Sequence, residues 1–390
     1  MNPRLLLLTL CQGLLMVNNV VFVAINGLVG LALAPVGWMA TLPITGYVAG
    51  GAIATTLVAR HQRRWGRQRT FQIGLGVAIA SAGVCAYAAM TRNFWLLTCA
   101  TLVAGYYNAN GSLYRFAAVE LVTPDFKERA ISWVLAGGII GGVVGPNLAT
   151  WSRDAMSQPF AGAYLVLMGV ALLSLLLMQF IPFPPLPGQG TVGRQGRPLA
   201  EIVRQPVFII AAAGCAIAYG VMNLLMAATP IAMAQCGHPF SAAALVLEFH
   251  VLGMFVPSFF TGKLVKRFGV LPIMCTGLLL NLGCVLFALN GQDLMHFLGA
   301  LLVLGVGWNF LYIGASTLAT QAWAPEEKTR AQAALDFCVY STMTLTSFSS
   351  GALVTTGGWT AMNLGTLLPI GLLAAALLWL ARLRLQPQPA

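Results

Sequence analysis

Apolar runs close to 20 residues long recur from one end of this chain to the other, separated by short polar breaks. That is the length a helix needs to cross the hydrocarbon of a bilayer. In lipid every backbone N–H and C=O must be bonded within the spanning segment, so such runs fold as helices. Twelve can be marked, over residues 5–28, 38–58, 71–90, 94–115, 130–150, 160–181, 207–234, 241–263, 270–290, 296–318, 331–353 and 360–381. The pattern predicts an all-α membrane protein with twelve transmembrane helices.

Composition agrees. Of 390 residues, 58% are hydrophobic and 8% charged, with a mean hydropathy of +0.81. A soluble domain carries about a quarter charged residues, so the lipid bilayer is the expected solvent. The net charge of +11 raises a nucleic-acid partner, and the placement of the charges argues against one. Lys and Arg gather in alternate loops, at Arg60, Arg63, Arg64, Arg67 and Arg69, then Lys127 and Arg129, then Arg194, Arg197 and Arg204, then Lys263, Lys266 and Arg267, then Lys328 and Arg330, and finally Arg382 and Arg384. The opposite loops hold only Arg92 and Arg153. This is the positive-inside bias of a bacterial cytoplasmic (inner) membrane protein with both termini in the cytoplasm. Eight cysteines fall mostly inside the apolar runs and read as small hydrophobes. No nucleotide loop, paired carboxylates or His-Glu-x-x-His motif is present, so an enzyme is not expected.

The chain also repeats itself. Arg63-Arg64-Trp65-Gly66-Arg67 after the second run is echoed by Lys263-Leu-Val-Lys266-Arg267-Phe268-Gly269 after the eighth, with the glycines 203 residues apart. Pro124-Asp-Phe-Lys-Glu-Arg129-Ala130 is echoed by Pro325-Glu-Glu-Lys-Thr-Arg330-Ala331, with the prolines 201 residues apart. Two matches at nearly one offset, close to half the length, indicate a duplicated six-helix half. The expected domains are a bundle over 1–181, a Pro- and Gly-rich cytoplasmic linker over 182–206, and a second bundle over 207–390. On these loops and on Gly137, Gly138, Gly141, Gly142, Gly145 and Pro146 in the fifth run, the chain resembles the major facilitator superfamily. That resemblance implies two pseudo-symmetric six-helix bundles and transport by alternating access. Arg63 and Lys266 stand where that family usually has an acidic residue.

The candidate chemistry lies on the seventh and eighth runs. Met222-Asn-Leu-Leu-Met226 and His250-Val-Leu-Gly-Met254 each place two ligands four residues apart, hence on one helix face about 6 Å apart along the axis. Thioethers and an imidazole suit Cu(I) better than a hard cation. Both pairs fall near mid-run, where substrate sites of two-fold repeated transporters lie. Packing accounts for a Met pair too; a mid-membrane His is costly and more often functional. Cys236 and His238 in the following outer turn could be the first contacts for a metal arriving from outside. Glu248 and Asp336 are acidic residues within runs and candidates for proton coupling, with pairing to Arg330 or Arg115 as the structural role for Asp336. The two motifs resemble those of CcoA-type copper importers. The resemblance implies that Met222, Met226, His250 and Met254 pass copper as cargo, with no resident cofactor, from a periplasmic or to a cytoplasmic copper carrier, for haem–copper oxidase assembly, by a monomer. Close relatives of that branch carry riboflavin. Asn18, Asn19, Asn26, Tyr106, Tyr107, Asn108, Asn110, Trp308, Asn309 and Tyr312 could line a cavity for such a flat, hydrogen-bonding molecule, or tie helices together.

Overall fold

The computed structural model describes residues 2–123, 126–184, 196–324 and 327–385. Pro124, Pro325 and residues 185–195 of the linker, including Arg194, lie outside that set. Helices account for nearly all of the described chain: α1 (Pro3–Leu33), α2 (Leu42–Trp65), α3 (Arg67–Met90), α4 (Phe94–Gly111), α5 (Arg129–Ser152), α6 (Ala161–Gln179), α7 (Pro206–Gln235), α8 (Phe240–Phe255, resuming as Ser258–Phe268), α9 (Val270–Leu289), α10 (Leu294–Ala319), α11 (Lys328–Thr356) and α12 (Gly358–Arg382). Large exposed apolar side chains such as Ile53, Leu279 and Leu372 face outward, as lipid contact requires.

Among the described residues nine helices are long and apolar enough to cross a membrane, and a tenth span results if the two pieces of α8 count as one. The two that fall short are α4 and α11. Their sequences explain it: α4 carries Tyr106, Tyr107, Asn108 and Asn110, and α11 carries Asp336, Tyr340 and a run of Ser and Thr. A helix that turns polar groups inward loses mean hydropathy without losing its place in the bundle. The 41° bend in α8 falls at Val256–Pro257, where proline removes a backbone donor. Asn309 of α10 covers the break, donating to Met254 O (2.7 Å) and Ser258 Oγ (2.6 Å) and accepting from Thr261 Oγ1 (2.6 Å).

Small residues set how closely the helices approach. A Cβ on Gly50 of α2 would lie 1.9 Å from Leu102 O of α4, and one on Gly305 of α10 would lie 2.4 Å from His250 O of α8. This is small-residue packing, which brings backbones together where no hydrophobic effect operates between helices. The repeated turns match in backbone: Gly66 has φ 80 and ψ 171, and Gly269 has φ 89 and ψ 167. Only glycine adopts such values without strain. Their charged partners differ. Arg67 forms a bidentate pair with Glu120 at the end of the fourth span (Nε–Oε2 2.6 Å, Nη2–Oε1 2.5 Å). In the second half, Arg197 of the linker grips Glu327 (Nε–Oε1 2.9 Å, Nη2–Oε2 2.7 Å). The Arg197 and Ala324 backbone N–H groups donate to the same carboxylate at 2.8 and 2.9 Å.

The halves meet on the side of the Arg92 and Arg153 loops. Thr41 Oγ1 donates to Ser347 O (2.7 Å) and accepts from Gly351 N (2.9 Å). Asn147 Nδ2 donates to Glu248 Oε2 (3.2 Å). Phe160 and Phe240 meet edge to face with centroids 4.8 Å apart, and Gly27 of α1 abuts Ala227 and Ile231 of α7. Phe160 holds φ +66, a left-handed conformation that is uncommon for a bulky residue.

Candidate functional site

Polar side chains of the first half collect between α1, α2 and α4. Asn18 donates to Tyr47 OH (3.0 Å), Tyr47 donates to Asn19 Oδ1, and Asn19 Nδ2 donates to Asn108 Oδ1 (3.4 Å). In the second half, α7 and α10 build an aromatic box. Trp308 and Tyr312, one turn apart on α10, stack with centroids 5.1 Å apart and rings 14° from parallel. Tyr219 of α7 stands edge-on to both, at 5.1 and 4.8 Å, and Phe255 of α8 closes one flank at 6.5 Å from Trp308. Indole and phenol usually find hydrogen-bond partners when buried. Trp308 Nε1 is buried with none.

One cation reaches this box from the other half. The fourth span breaks at Ser112–Leu113 and resumes over Tyr114–Ala118, which places Arg115 within electrostatic reach of Tyr312, Tyr219 and Asp336. Its Nε is buried and makes no hydrogen bond. Asp336 answers to Arg115 and not to Arg330, which donates to Gly196 O and Arg197 O. Tyr340, one turn on from Asp336, faces Ser112 and Tyr312 and is close enough to feel Tyr47. Phenols, Arg115 and Asp336 thus lie within electrostatic reach of one another across the seam between the halves.

The soft ligands sit apart from this belt in character. Met222 (3% exposed) and Met254 (7%) are packed into the core of the second half. Met226 is half-buried and touches the apolar clusters of both halves. His250 is fully buried; its Nδ1 bonds Leu301 O of α10 at 2.7 Å and its Nε2 has no partner. α7 and α8 each pack along α10 rather than along each other. Met222 and Met254 belong to one apolar cluster, with Met226 packed against it. Among the described residues no three His, Cys, Asp or Glu side chains come together as metal ligands, so a copper ion here would rest on thioethers and the one imidazole.

At the turn after α7, Cys236 Sγ lies 3.3 Å from Gln292 Oε1, and His238 Nε2 lies 2.7 Å from Gln292 O. Both are tied to the loop before α10. His238 also lines a cavity of about 210 Å³ on the seam, with Arg153, Phe160, Pro230 and Phe240. Glu248 belongs to the seam through Asn147. Of the remaining polar residues, Asn26 accepts from Tyr164 OH (2.7 Å) and Asn110 bonds its own helix at Tyr106 O. Asn309 caps α8. These are interhelical or local bonds.

Sequence reasoning overlooked Tyr47, Tyr219 and Tyr340 as lining residues and gave Arg115 only a pairing role. A phenol or guanidinium inside an apolar run was the available signal. Which way each one faces depends on helix rotation.

Comparison with known proteins fits this architecture. The sequence profile of the Major Facilitator Superfamily matches residues 5–255 and 211–390. The chain is 38% identical over 362 residues to the riboflavin transporter RfnT of Brucella anthropi, covering 92% of this chain and 91% of that protein. It is 25% identical to the uncharacterized MFS-type transporter YddS of Bacillus subtilis, over 88% of this chain and 83% of that one. The fold is similar to that of a crystallised mutant of the nucleoside transporter NupG, with a TM-score of 0.77, 14% identity, and coverage of 97% of this chain and 99% of that one. It is also similar to a bacterial homologue of the human lysosomal transporter Spinster in an inward-facing, occupied conformation, with a TM-score of 0.72, 16% identity, and coverage of 99% and 98%. An all-helical chain with nine or ten membrane-length spans among its described residues, matched along its length by that profile, belongs to the major facilitator superfamily of membrane transporters.

Proposed function

We propose that this transporter carries a flat, hydrogen-bonding aromatic molecule of the riboflavin type across the bacterial cytoplasmic membrane. The observation that carries the reading is the box of Tyr219, Trp308 and Tyr312 with a buried, unpartnered indole N–H. An aromatic ring face is a stacking platform for a conjugated ring, worth roughly 1–3 kcal/mol per ring where bases stack on aromatic side chains. The vacant donor supplies the directional contact that such pockets use to orient a ligand. The 38% identity to a riboflavin transporter supports the same reading. The basic loops face the cytoplasm by the positive-inside bias, so the closed Thr41–Ser347 side is the outer one and the box is reached from within. Asp336 is the carboxylate placed to exchange a proton with the cavity; Glu248, bound to Asn147 across the seam, is placed to respond when the outer side opens.

A second reading has its own observation. His250 is pinned through Nδ1 to a backbone carbonyl, which leaves Nε2 buried and vacant. This is the arrangement by which proteins orient an imidazole for a metal. In that reading copper, as Cu(I), is the cargo, and Met222, Met226 and Met254 are the neutral partners that let it go, delivering it toward oxidase assembly. Uptake of labelled riboflavin and labelled copper, measured in parallel in cells lacking their own importers, separates the two. Riboflavin uptake abolished by Trp308→Leu and kept in His250→Leu and Met222→Leu supports the first. Copper uptake lost in His250→Leu and Met222→Leu, with no riboflavin accumulation, overturns it in favour of the second.

A further inference from the structure

A groove of about 640 Å³ opens on the second half where its spans meet the connecting segment, and every side chain that lines it is apolar. Leu199 and Val203 come from the short helix Leu199–Val203, Ile209 and Ala213 from α7, and Phe337 and Cys338 from α11. Phe337 is 73% exposed and Ile209 54%, on spans that a bilayer surrounds, so lipid is the medium that meets them. We infer that this groove holds an acyl chain of one anionic phospholipid of the cytoplasmic leaflet, with Arg204 and Arg330 at its headgroup. The inference does not depend on which cargo the transporter carries.

The short helix is fixed against the bundle. Ile202 is fully buried in the core of the second half, and Gln205 Nε2 donates to Ala322 O at 2.9 Å. Leu199 and Val203, one turn apart on that helix, are thereby laid along the groove, and a chain seated there touches the connecting segment and both spans together.

The mouth is basic. Arg330 and Phe337 stand seven residues apart, two turns along one face of α11, so Arg330 lies over the cytoplasmic end of the groove. Arg204 directly follows Val203. Both arginines are exposed, as is Lys328 beside them. Arg330 Nη2 meets only backbone oxygens, Gly196 O at 3.3 Å and Arg197 O at 3.4 Å. Among the described residues no carboxylate lies within ion-pair distance of any of the three cations. Of the described acids in this part of the chain, Glu327 is taken by Arg197 and Glu201 is exposed on the short helix. Three exposed cations against one exposed carboxylate leave a positive rim over an apolar slot. A chain gains little by leaving the bilayer for the groove, since both are hydrocarbon, so the headgroup decides which lipid stays. A basic residue at the cytoplasmic surface is worth roughly fivefold toward an anionic lipid, and two arginines together roughly 25-fold.

The test uses the purified full chain in detergent and follows the reaction of Cys338, whose side chain lines the groove, with N-ethylmaleimide, read by peptide mass. Cys275, exposed on α9 and not part of the lining, is the internal control. Phosphatidylglycerol protects Cys338 at a concentration at least tenfold lower than phosphatidylcholine with the same chains, and leaves Cys275 reacting as before. Glycerol phosphate, the headgroup without chains, protects neither. Arg204→Gln and Arg330→Gln each weaken protection by phosphatidylglycerol roughly fivefold and leave phosphatidylcholine unchanged. Ala213→Trp, which fills the groove, removes the difference between the two lipids. Native mass spectrometry retains one phosphatidylglycerol on the wild type and loses it in the variant carrying both arginine changes, a reading that needs no thiol. Melting at the wild-type temperature shows that each variant is folded; should Ala213→Trp not fold, the arginine variants carry the comparison. Equal protection by the two lipids, protection of Cys275 in step with Cys338, protection by glycerol phosphate alone, or undiminished retention of phosphatidylglycerol without the two arginines overturns the inference.

Discussion

The approach of α8 to α10 is the packing on which both candidate sites depend, and Gly305→Ala tests it. The added Cβ would sit 2.4 Å from His250 O and 3.0 Å from Met254 N. Ordinary carbon–oxygen contact needs about 3.4 Å or more, so the helices must part by roughly 1 Å or rotate. Both clashing atoms are backbone, and no flexible side-chain end can yield. Overpacking of this kind costs about 1–3 kcal/mol, and rigid backbone on both sides places it in the upper part of that range. For a chain of 390 residues a loss of that order lowers the melting temperature by roughly 2–4 °C. The same displacement pulls Leu301 O from His250 Nδ1 and Asn309 Nδ2 from Met254 O, bonds now 2.7 Å long, and tilts Trp308 within the box. The control is Gly169→Ala, also mid-helix, where a new Cβ meets nothing within 4 Å. There alanine gains up to about 1 kcal/mol of helix propensity. The buried thiols Cys11, Cys85, Cys215 and Cys284 give the assay, since a thiol-reactive dye reports their exposure as the protein unfolds in detergent. Gly305→Ala melting with or above Gly169→Ala would refute the claim that this contact sets the helix spacing.

Other outcomes follow from particular bonds. Glu327, gripped by Arg197, is pushed down to about 2 from an ordinary carboxylate value near 4.5; a depressed acid stabilises the fold above its unfolded value and ceases to as the pH falls through its folded one. Melting temperature should therefore drop between about pH 4.5 and 2 in the wild type, and Glu327→Gln should be less stable at neutral pH with a flatter curve across that window. Thr41→Val removes two hydrogen bonds across the seam, each worth about 1 kcal/mol, so spin-label distances between the outer ends of α2 and α11 should lengthen and broaden. A membrane-impermeant maleimide should modify Cys236, which is exposed at the outer turn, in intact cells. Cys99 and Cys275, exposed on spanning helices, should react only with lipid-soluble reagents, read by mass spectrometry.

The sequence disclosed the spans because the bilayer imposes a length on them, and it disclosed the turns because Gly66 and Gly269 need a backbone that other residues avoid. The low hydropathy of α4 and α11 was also present in it, as Tyr106, Tyr107, Asn108 and Asn110 and as Asp336 with its Ser and Thr neighbours; what those groups face was not. The bend in α8 was present as Pro257, inside a run long enough to read as one straight helix. The Met and His pairs illustrate the limit most clearly. Four-residue spacing guarantees a common face on one helix, yet only the packing tells which neighbour that face meets: His250 turns toward α10, where its Nδ1 bonds Leu301 O. The aromatic box was half visible: Trp308 and Tyr312 share a helix, whereas Tyr219 and Arg115 arrive from elements distant in sequence. The left-handed Phe160 had no sequence signal, since no local rule places a bulky residue there.

The matched turns at Gly66 and Gly269 have a consequence for how the two halves are unlocked. Duplication kept the bend and let the charges diverge. The first half is fastened by Arg67 to Glu120, within its own bundle. The second borrows its arginine from the connecting segment, so that Arg197 fastens the tether itself to Glu327. The connecting segment is thereby fixed to the second half at Glu327. Arg197→Gln should therefore free the connecting segment from Glu327 without disturbing the Arg67–Glu120 pair.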